Sequence, residues 1–243
     1  MINIVIPMAG LGSRFKSAGY EQPKPFIDVL GMPMILRVML NLQLVDSRFI
    51  LIARKEHLEK EKIIVDKIRD KYSNVIIIGI DKLTEGTAST VLYAKKHIDS
   101  DSPLLIANSD QIVDIEIADF IKECLNKNHD GSILTFNDPS RNPKWSFAKK
   151  NNLDLVIEVR EKVPISEEAT VGIYFFTKGS DFVDAAVQMI IENDRVNNEF
   201  YTCPTYNYLI DNGKKIGTYM INQDYMNGIG IPEDLENYIN KIK

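Results

Sequence analysis

Two glycines and two cations follow the first apolar run of the chain in an order that suits binding of a polyphosphate. Residues 2–6 are apolar, and the loop after them contains Gly10, Gly12 and Arg14, with Lys24 soon afterwards. Glycines let backbone N–H groups approach an anion closely, and the cations neutralise the charge that the amides leave uncompensated. We interpret this segment as a nucleoside triphosphate site near the start of an α/β enzyme.

Commoner kinds of glycine loop can be tested against the same residues. The chain contains no GxxxxGK[ST] motif of a P-loop. A dinucleotide fingerprint would need a third glycine where Phe15 stands, and an acid where Arg54 and Lys55 follow the second apolar run, residues 49–53. An ordinary strand-to-helix turn remains as an alternative, and the two nearby cations weigh against it.

An aspartate follows another apolar run, at the kind of place where α/β sheets bind ligands. Residues 104–107 are apolar and lead into Asn108-Ser109-Asp110. Ligands lie beyond the carboxyl ends of strands in such sheets, and Mg²⁺ takes oxygen ligands that include one or two carboxylates. We therefore favour Asp110 as a Mg²⁺ ligand over a turn or N-cap role. The DxD motif of a metal-dependent glycosyltransferase is not present, because Ile112 occupies the second acidic position.

The composition indicates a single compact unit. The 243 residues are 44% apolar and 26% charged, which is enough apolar material for one large domain. We predict one domain over residues 1–243, with a nucleotide-binding core in residues 1–140 and an acceptor-binding part in residues 141–243. The oligomeric state stays open, a homodimer included.

The sequence also argues against membrane insertion, secretion and nucleic-acid binding. No apolar run approaches the ~20 residues that cross a bilayer, and strand-like residues begin at position 2 without the basic region of a signal peptide. Cys124 and Cys203 are far apart and form no metal pattern. The net charge is −5, and no basic stripe with interleaved aromatic residues occurs. We expect a cytoplasmic protein that binds neither membranes nor nucleic acid.

Short apolar runs alternate with amphipathic segments through the first half of the chain. The strand-like runs are residues 2–6, 49–53, 75–78, 104–107 and 132–136. The predicted helices between them are residues 34–45, 57–72, 87–98 and 116–126. Alternation of this kind gives parallel crossovers, so we predict an α/β fold with a mostly parallel mixed sheet flanked by helices.

The pattern changes from about residue 145 onwards. Residues 145–149, 153–160 and 170–177 resemble antiparallel strands, with a turn at Asn151-Asn152. Helices are then predicted at about residues 181–192, 204–212 and 232–242. We predict that this second part forms a small antiparallel substrate lid built onto the sheet.

An ordered set of short motifs spans nearly the whole chain. The set is P-M-A-G-x-G-x-R-F at 7–15, P-K-P at 23–25, G-x-P-M at 31–34, E-G-T-A at 85–88, N-S-D at 108–110, E-K at 161–162, G-I-Y at 172–174 and G-x-P-E-D-L at 230–235. In this order the motifs resemble the sugar-phosphate nucleotidylyltransferase superfamily. The resemblance implies a Rossmann-like (GT-A-like) fold and transfer of a nucleotidyl group from an NTP to a phosphorylated small molecule, with release of pyrophosphate.

The resemblance also implies which residues contact the nucleotide. Amides of the glycine loop bind the triphosphate, Arg14 contacts the β- and γ-phosphates, Lys24 reaches the α-phosphate, and Asp110 binds the cofactor Mg²⁺. The implied catalytic residues are therefore Arg14, Lys24 and Asp110. The implied nucleotide-binding residues are Met8, Ala9, Gly10, Gly12, Ser13, Arg14, Lys24, Glu85, Gly86, Thr87, Ala88 and Ser109.

The acceptor residues come from the second half of the chain. In the family, the pair that corresponds to Glu161 and Lys162 faces the second substrate, and the lysine holds its phosphate. Glu199 and Tyr201 have the spacing of neighbours on one face of an extended segment, with an N-cap-and-turn role as the alternative. Trp145 is expected either in the acceptor cavity or in the core. The predicted acceptor-binding residues are Trp145, Glu161, Lys162, Gly172, Glu199 and Tyr201.

Two further segments indicate a resemblance to one branch of this superfamily. P-K-W-S at residues 143–146 and N-E-F-Y at residues 198–201 are similar to a branch encoded in capsular polysaccharide clusters. That branch includes a CTP:phosphoglutamine cytidylyltransferase. We therefore expect CTP as the nucleotide and phosphoglutamine as the acceptor. In the family, the turn that corresponds to residues 86–88 lies against the nucleobase. The small residues at 86–88 admit any base, so the choice of CTP depends on the resemblance alone.

One position departs from the family pattern. Many sugar nucleotidylyltransferases have a second metal-binding aspartate where Gly228 stands here, and Asp224 or Asn227 could substitute for it. A sugar-1-phosphate nucleotidylyltransferase using dTTP or UTP, a glycosyltransferase-like protein and a noncatalytic nucleotide-binding homologue all remain as alternatives.

The proposed chemistry does not require a general base. A phosphate monoester has a second pKa near ~6 and is already a dianionic nucleophile at neutral pH. Catalysis of nucleotidyl transfer is then mainly positioning and neutralisation of charge. We expect the three histidines, His57, His97 and His129, to be solvated surface residues.

Overall fold

A nine-stranded mixed sheet forms the middle of the protein, in a computed structural model that describes residues 1–243. The strands of the chain are β1 (Ile2–Pro7), β2 (Asp28–Val29), β3 (Met32–Pro33), β4 (Ser47–Arg54), β5 (Ile76–Ile80), β6 (Leu104–Ala107), β7 (Gln111–Val113), β8 (Gly131–Asn137), β9 (Ser146–Lys150), β10 (Val156–Glu161), β11 (Glu168–Phe176), β12 (Ile216–Ile221) and β13 (Met226–Gly228). The helices are α1 (Ser13–Ser17), α2 (Met34–Asn41), α3 (Lys55–Lys60), α4 (Lys62–Lys71), α5 (Thr87–Val91), α6 (Lys95–Ile98), α7 (Ile117–Asn126), α8 (Gly179–Ile191), α9 (Thr205–Asp211) and α10 (Pro232–Ile242).

The sheet is parallel in the first half of the chain and mixed in the second. Its order is β10-β9-β11-β6-β1-β4-β5, and β8 joins β11 to β12. β1 pairs in parallel with β4 and β6, whereas β11 runs antiparallel to β6 and β8. The predicted α/β fold with a mixed, helix-flanked sheet is confirmed. The antiparallel strands β9 and β10 extend one edge of this same sheet, so the predicted lid is continuous with it.

Helices cover both faces of the sheet because successive strand residues point to opposite sides. In β1, Ile4 and Ile6 belong to one buried cluster and Val5 to the other. Helices α2, α4, α7 and α10 contribute to the first cluster. Helices α5, α6, α8 and α9 contribute to the second cluster. Burial on both faces explains why the parallel strands are continuously apolar rather than alternating.

Several helix boundaries differ from the sequence-based expectation. The helix predicted at 57–72 is two helices, which the backbone of Glu61 separates at φ −106° and ψ 33°. The helix predicted at 34–45 ends at Asn41, whose side-chain amide donates to Val113 O and accepts from Val113 N at 2.7 and 2.9 Å. The helix predicted at 87–98 is interrupted by a 3₁₀ turn at Leu92–Ala94. At the end of α2, a contact with a residue distant in sequence therefore overrides the helical pattern.

A small second sheet lies beside Asp110, the predicted Mg²⁺ ligand. β13 pairs antiparallel with β7, so that Gly228 lies opposite Gln111. The backbone N–H of Ile229 also donates to Asp110 O at 2.9 Å. The late 226–230 segment therefore runs beside the aspartate that follows β6. Bilayer crossing would need a longer and more apolar helix than any in this fold.

Candidate active site

A cavity of about 410 Å³ lies beyond the carboxyl ends of β1 and β6. These two strands are parallel neighbours, so the loops that follow them meet at the same edge of the sheet. We call this space the nucleotide cavity. Predicted site residues in its wall are Met8, Ala9, Gly10, Gly12, Ser13, Arg14, Lys24, Gly86, Thr87, Ser109, Asp110, Glu199 and Tyr201. Most of the predicted nucleotide residues are thus brought together.

The glycine loop turns sharply so that both cations lie on the cavity wall. Gly12 has φ +60°, a left-handed conformation that favours glycine, and α1 begins directly after it. A Cβ at Gly12 would lie 3.0 Å from Lys24 Cβ, so the loop and the Lys24 segment pack closely. The guanidinium of Arg14 forms no ion pair or side-chain hydrogen bond within the protein, although it lines the cavity. It is a cation without an internal counterion.

Lys24 and Asp110 meet inside the nucleotide cavity. Lys24 Nζ forms a salt bridge with Asp110 Oδ2, and the side chain of each residue is 20% exposed. Gly230 packs against the pair, because a Cβ at that position would lie 2.5 Å from Asp110 Oδ2 and 3.6 Å from Lys24 Nζ. Any larger residue at 230 would have to displace the carboxylate.

The predicted base loop, residues 85–88, is joined to the segment 199–202. Phe200 N donates to Glu85 O at 2.7 Å, and Ala88 N donates to Phe200 O at 2.9 Å. Gly86 has φ +110°, and a Cβ there would lie 2.4 Å from Phe200 O. Thr87 Oγ1 accepts from Thr202 N at 3.1 Å. The close approach of residue 86 to the Phe200 backbone requires glycine at 86. The hydrogen bonds hold the base loop against residues 199–202.

Two residues of the predicted nucleotide site do not line the cavity. Ala88 is fully buried in the core, and the Glu85 carboxylate pairs with Arg195 at 2.9 Å. The hydrogen bonds to Phe200 turn these two side chains away from the cavity and leave Gly86 and Thr87 in its wall. We therefore correct the predicted nucleotide site by giving Glu85 and Ala88 a supporting role.

A smaller cavity of about 180 Å³ adjoins the nucleotide cavity. We call it the acceptor cavity, because the predicted acceptor residues Trp145, Glu161, Gly172 and Tyr201 line it. Both cavities share the same three wall residues, Thr87, Asn108 and Tyr201. A ligand in one cavity would therefore be a direct neighbour of a ligand in the other.

Lys162, Tyr201 and Glu199 form one hydrogen-bonded group at the border between the cavities. Lys162 Nζ donates to Tyr201 Oη at 2.6 Å and lies 4.5 Å from the centroid of the tyrosine ring. Tyr201 in turn donates to Glu199 Oε2. Burial, together with the Glu199 carboxylate, raises the pKa of Tyr201 and keeps its phenol protonated. Glu199 and Tyr201 therefore contact each other, but Glu199 lines the nucleotide cavity rather than the acceptor cavity for which it was predicted. Lys162 lines neither cavity and contacts the cavity wall through Tyr201.

Glu161 is a buried acid in the acceptor cavity. It is 8% exposed and accepts a hydrogen bond from Ser146 Oγ. Burial raises the pKa of the Glu161 carboxyl, and the Ser146 hydrogen bond and the charge of Lys162 oppose this shift. Because Glu161 lines the acceptor cavity, its carboxyl is available to accept a hydrogen bond from a molecule bound there.

Trp145 lies both in the wall of the acceptor cavity and against the hydrophobic core, the two positions expected from the sequence. Its ring lines the acceptor cavity, with Lys144 Nζ 4.5 Å from the centroid. The ring edge also packs on buried Phe136, at 5.3 Å between centroids. The tryptophan therefore connects the hydrophobic core to the acceptor cavity.

The model of the nucleotidyl transferase family matches residues 4–243. The chain belongs to the nucleotidyl transferase family. Its fold is also that of a crystal structure described as a nucleoside-diphosphate-sugar pyrophosphorylase from Vibrio cholerae RC9, with a TM-score of 0.82, 26% identity, and coverage of 98% of this chain and 99% of that one. A Bacillus anthracis protein crystallised with sucrose has a TM-score of 0.78 at 18% identity, which shows a shared fold alone.

Curated relatives within this family include proteins of different lengths. Bifunctional protein GlmU of Methanococcus aeolicus is 30% identical over 72% of this chain, and that of Methanococcus maripaludis is 28% identical over 99% of it. The chain spans 40% and 55% of the lengths of these two relatives. UTP--glucose-1-phosphate uridylyltransferase AglF of Haloferax volcanii is 25% identical, with 95% of this chain and 92% of the relative covered.

Several residues of this nucleotidyl transferase site were not found from the sequence. The wall of the acceptor cavity also includes Asn108, Gln111, Ser146, Thr170, Thr202 and Cys203. Asn108 directly follows β6, so the strand-end rule that selected Asp110 could have selected it as well. Its amide packs on Gly172, whose φ is +93° and whose Cβ would lie 2.3 Å from Asn108 Nδ2. The others are polar residues that only the tertiary structure brings together.

The histidine prediction is wrong for His57. Its side chain is 13% exposed, and Nδ1 is buried without a hydrogen-bond partner. Burial lowers the pKa of His57 and favours the neutral ring. The cause is the position of His57 on α3, which packs along β4. No histidine lines the nucleotide cavity or the acceptor cavity.

A divalent metal in the nucleotide cavity would find two carboxylates in the wall, Asp110 and Glu199, and Glu199 already accepts a hydrogen bond from Tyr201. No three His, Cys, Asp or Glu side chains are grouped closely enough to hold a metal by themselves. Asn227 Oδ1 accepts from Lys241 at 2.8 Å, and the predicted substitute Asp224 lies in a 3₁₀ turn beside that same lysine. Neither therefore replaces the aspartate missing at 228. Asp110, which follows β6, the neighbour of the glycine-loop strand, fits a Mg²⁺ ion that takes its other ligands from water and substrate phosphates.

Proposed function

We propose that the protein transfers a nucleotidyl group from an NTP to a small phosphorylated acceptor and releases pyrophosphate. The observation that supports this most strongly is the junction of the two cavities at Thr87, Asn108 and Tyr201. Arg14 and Lys24 provide cations on one side of the junction, and Lys162 provides one at the border. Two phosphorylated substrates would thereby be held next to each other with their charge neutralised.

The reaction needs positioning more than acid–base chemistry. A phosphate oxygen of the acceptor attacks the α-phosphorus, the new O–P bond forms, and the bond to the β-phosphate breaks so that pyrophosphate leaves. The acceptor phosphate is already a dianion at neutral pH and needs no base. Lys24 would stabilise charge on the α-phosphate and Arg14 charge on the leaving pyrophosphate. Mg²⁺ held by Asp110 would add further neutralisation of phosphate oxygens when bound.

We propose CTP and phosphoglutamine as the substrate pair, which would give CDP-glutamine for modification of capsular polysaccharide. The support is the resemblance of residues 143–146 and 198–201 to the capsular branch, together with the places these residues occupy. Trp145 lines the acceptor cavity, and Glu199 and Tyr201 stand at the border. A polar cavity with a buried carboxyl suits an acceptor that carries N–H or O–H donors.

A sugar 1-phosphate with UTP or dTTP is the second candidate. The observation in its favour is the likeness to AglF, whose name describes a uridylyltransferase acting on glucose 1-phosphate. Sugar hydroxyls would satisfy the Glu161 carboxyl as well as an amide or amine would. Both kinds of acceptor therefore offer hydrogen-bond donors that suit the Glu161 carboxyl.

Pyrophosphate release across four NTPs and a panel of acceptors tests the proposal. Phosphoglutamine and hexose 1-phosphates should each be paired with CTP, UTP, dTTP and GTP, with Arg14→Ala as a negative control. Turnover of CTP with phosphoglutamine is expected. Turnover only of UTP or dTTP with a hexose 1-phosphate would replace the cytidylyl proposal by the second candidate. The absence of pyrophosphate with every pair would contradict nucleotidyl transfer and favour a noncatalytic nucleotide-binding role.

A further inference from the structure

Arg195 lines neither cavity. It contacts two segments that supply wall residues, the base loop at residues 85–88 and the turn that precedes Glu199. Its side chain is 29% exposed and makes polar contacts with Asn193, Asn198 and Glu85. We propose that Arg195 is a positioning residue that couples the base loop, residues 85–88, to the acceptor cavity. This inference rests on the proposed nucleotidyl transfer. It assigns to Arg195 the effect that binding of one substrate has on the affinity for the other.

The first half of the coupling is the attachment of Arg195 to the base loop. Arg195 Nη2 pairs with Glu85 Oε2 at 2.9 Å, and its guanidinium carbon lies 4.2 Å from the centroid of the Phe200 ring. Phe200 is 1% exposed, and its backbone hydrogen-bonds to both Glu85 and Ala88. The Arg195 guanidinium therefore holds the base loop in two ways. It pairs with the Glu85 carboxylate, and it stacks on Phe200, whose backbone is hydrogen-bonded to the loop.

The second half is the tight turn that presents Glu199. Val196 and Glu199 exchange two backbone hydrogen bonds of 3.0 Å, and Asn197 and Asn198 between them have φ +51° and +63°. Two successive positive φ values are typical of a type I′ turn. Arg195 Nη1 donates to Asn198 O at 3.3 Å. One side chain therefore holds the turn and the base loop in a fixed relation.

From this turn, hydrogen bonds lead to the predicted acceptor lysine. Glu199 accepts from Tyr201, and Tyr201 accepts from Lys162 Nζ at 2.6 Å. A nucleotide that orders the base loop would order the turn through Arg195, and would hold Lys162 and Tyr201 ready for the acceptor. Ordering by the first ligand lowers the cost of binding the second, and the effect is reciprocal.

The contacts need arginine rather than any cation. The planar guanidinium donates in several directions at once and stacks on Phe200, whereas a lysine ammonium is a single point charge. Arg195→Lys should therefore retain part of the pairing with Glu85 and lose the stacking and the bond to Asn198. Arg195→Ala should lose all of these contacts.

Steady-state kinetics with both substrates varied tests the coupling. The pair is CTP with phosphoglutamine, or UTP with glucose 1-phosphate if only that pair turns over. In the wild type, saturating NTP should lower the KM of the acceptor by at least about fivefold, the lower end of usual coupling. In Arg195→Ala this factor should fall to about 1, with a smaller change in kcat, and Arg195→Lys should be intermediate. A wild-type factor near 1, or an unchanged factor in Arg195→Ala, would overturn the inference.

A matched control separates coupling from a general loss of structure. Arg160 is also a surface arginine in an ion pair, with Glu158 at 2.7 Å, and it lines neither cavity. Arg160→Ala should keep the coupling factor, and loss of coupling in both variants would contradict a specific role for Arg195. Glu85→Gln should reduce coupling in the wild type but not in Arg195→Ala. Equal effects in both backgrounds would oppose a role for this pair.

Hydrogen–deuterium exchange with CTP gives an answer that does not require turnover. CTP should slow exchange at residues 85–88 in the wild type and in Arg195→Ala, and should slow exchange at residues 196–198 only in the wild type. Equal protection of the turn in both proteins would overturn the inference. A wild type that binds CTP and shows this difference, yet releases no pyrophosphate with any acceptor, would contradict the proposed function and leave the coupling intact.

Discussion

The ammonium group of Lys24 forms a salt bridge with the carboxylate of Asp110 in the nucleotide cavity. The residue predicted to bind the α-phosphate thus neutralises the residue predicted to bind Mg²⁺. A cation in contact with this carboxylate opposes the approach of a second cation. An incoming phosphate would offer Lys24 another partner and release Asp110.

Replacement of Lys24 should therefore improve metal binding to the protein without nucleotide. Lys24→Met should bind Mn²⁺ at least about tenfold more tightly than the wild type, as measured by electron paramagnetic resonance of free Mn²⁺. Lys16→Met removes the same charge from a residue of α1 that lines neither the nucleotide cavity nor the acceptor cavity, and should bind as the wild type does. Equal affinity in Lys24→Met and wild type would show that the pair does not hinder the metal.

Both cations of the glycine-loop region should be needed for catalysis. Arg14→Ala and Lys24→Ala should each lower kcat/KM by at least ~100-fold, because each removes stabilisation of charge that grows in the transition state. Arg14 has no partner within the protein, so its removal should leave the melting temperature unchanged. Wild-type pyrophosphate release by both variants would show that this loop has been assigned incorrectly.

Asp110→Ala should abolish Mg²⁺-dependent turnover and leave the fold intact. The carboxylate lies in the cavity wall rather than in the core, so its loss opens no cavity in packed apolar material. Activity of the wild type should be lost with EDTA and return with Mg²⁺ or Mn²⁺. Circular dichroism checks the fold, and full activity of the variant or of metal-stripped wild type would contradict this role.

Lys162 should matter more for the acceptor than for the nucleotide. Lys162→Ala should raise the KM of the acceptor far more than that of the NTP, since the ammonium would hold the acceptor phosphate as a point charge. Tyr201→Phe removes the phenol that accepts from Lys162 and should give a smaller change in the same direction. Kinetics with each substrate varied at saturation of the other measure the difference. A larger rise in the KM of the NTP would place Lys162 in the nucleotide cavity.

The buried carboxyl of Glu161 should make stability depend on pH. Burial raises its pKa in the folded protein above the ordinary 4.5, so its favourable contribution is present below that pH and is lost as pH rises through the folded pKa. Glu161→Gln should become increasingly stable relative to wild type as pH rises from 4.5, by about 1.4 kcal/mol for each unit of the shift. Urea unfolding measures this. A stability difference independent of pH would contradict the raised pKa.

The sequence predicted the sheet well where a strand is buried on both faces. β1, β4 and β6 are short, continuous apolar runs, and the structure places all three near their predicted bounds. β7 and β13 have three residues each and carry no periodic pattern, so only their mutual pairing defines them. Helix α2 ended early for a similar reason, since Asn41 is held by a strand that is distant in sequence.

The predicted site residues that a local rule selected are those that the structure brings to one cavity. The glycine loop and Asp110 follow strands directly, and the strand-end rule brings them to one cavity. The joining of residues 85–88 to residues 199–202 has no local signature, because the hydrogen bonds of Phe200 involve partners far away in the chain. For this reason Glu85 and Ala88 were expected in the cavity wall, and Arg195 was not expected to matter.

The acceptor cavity takes part of its wall from the outer edge of the sheet. Trp145, Ser146 and Glu161 lie in or beside β9 and β10, the last two strands on that side, whereas the cations and the glycine loop belong to the parallel interior. Substitutions in this hairpin of an ancestral protein would therefore change one wall of the acceptor cavity and leave the glycine loop and its two cations as they are. Descendants of one such ancestor would share a donor site and differ in what they modify.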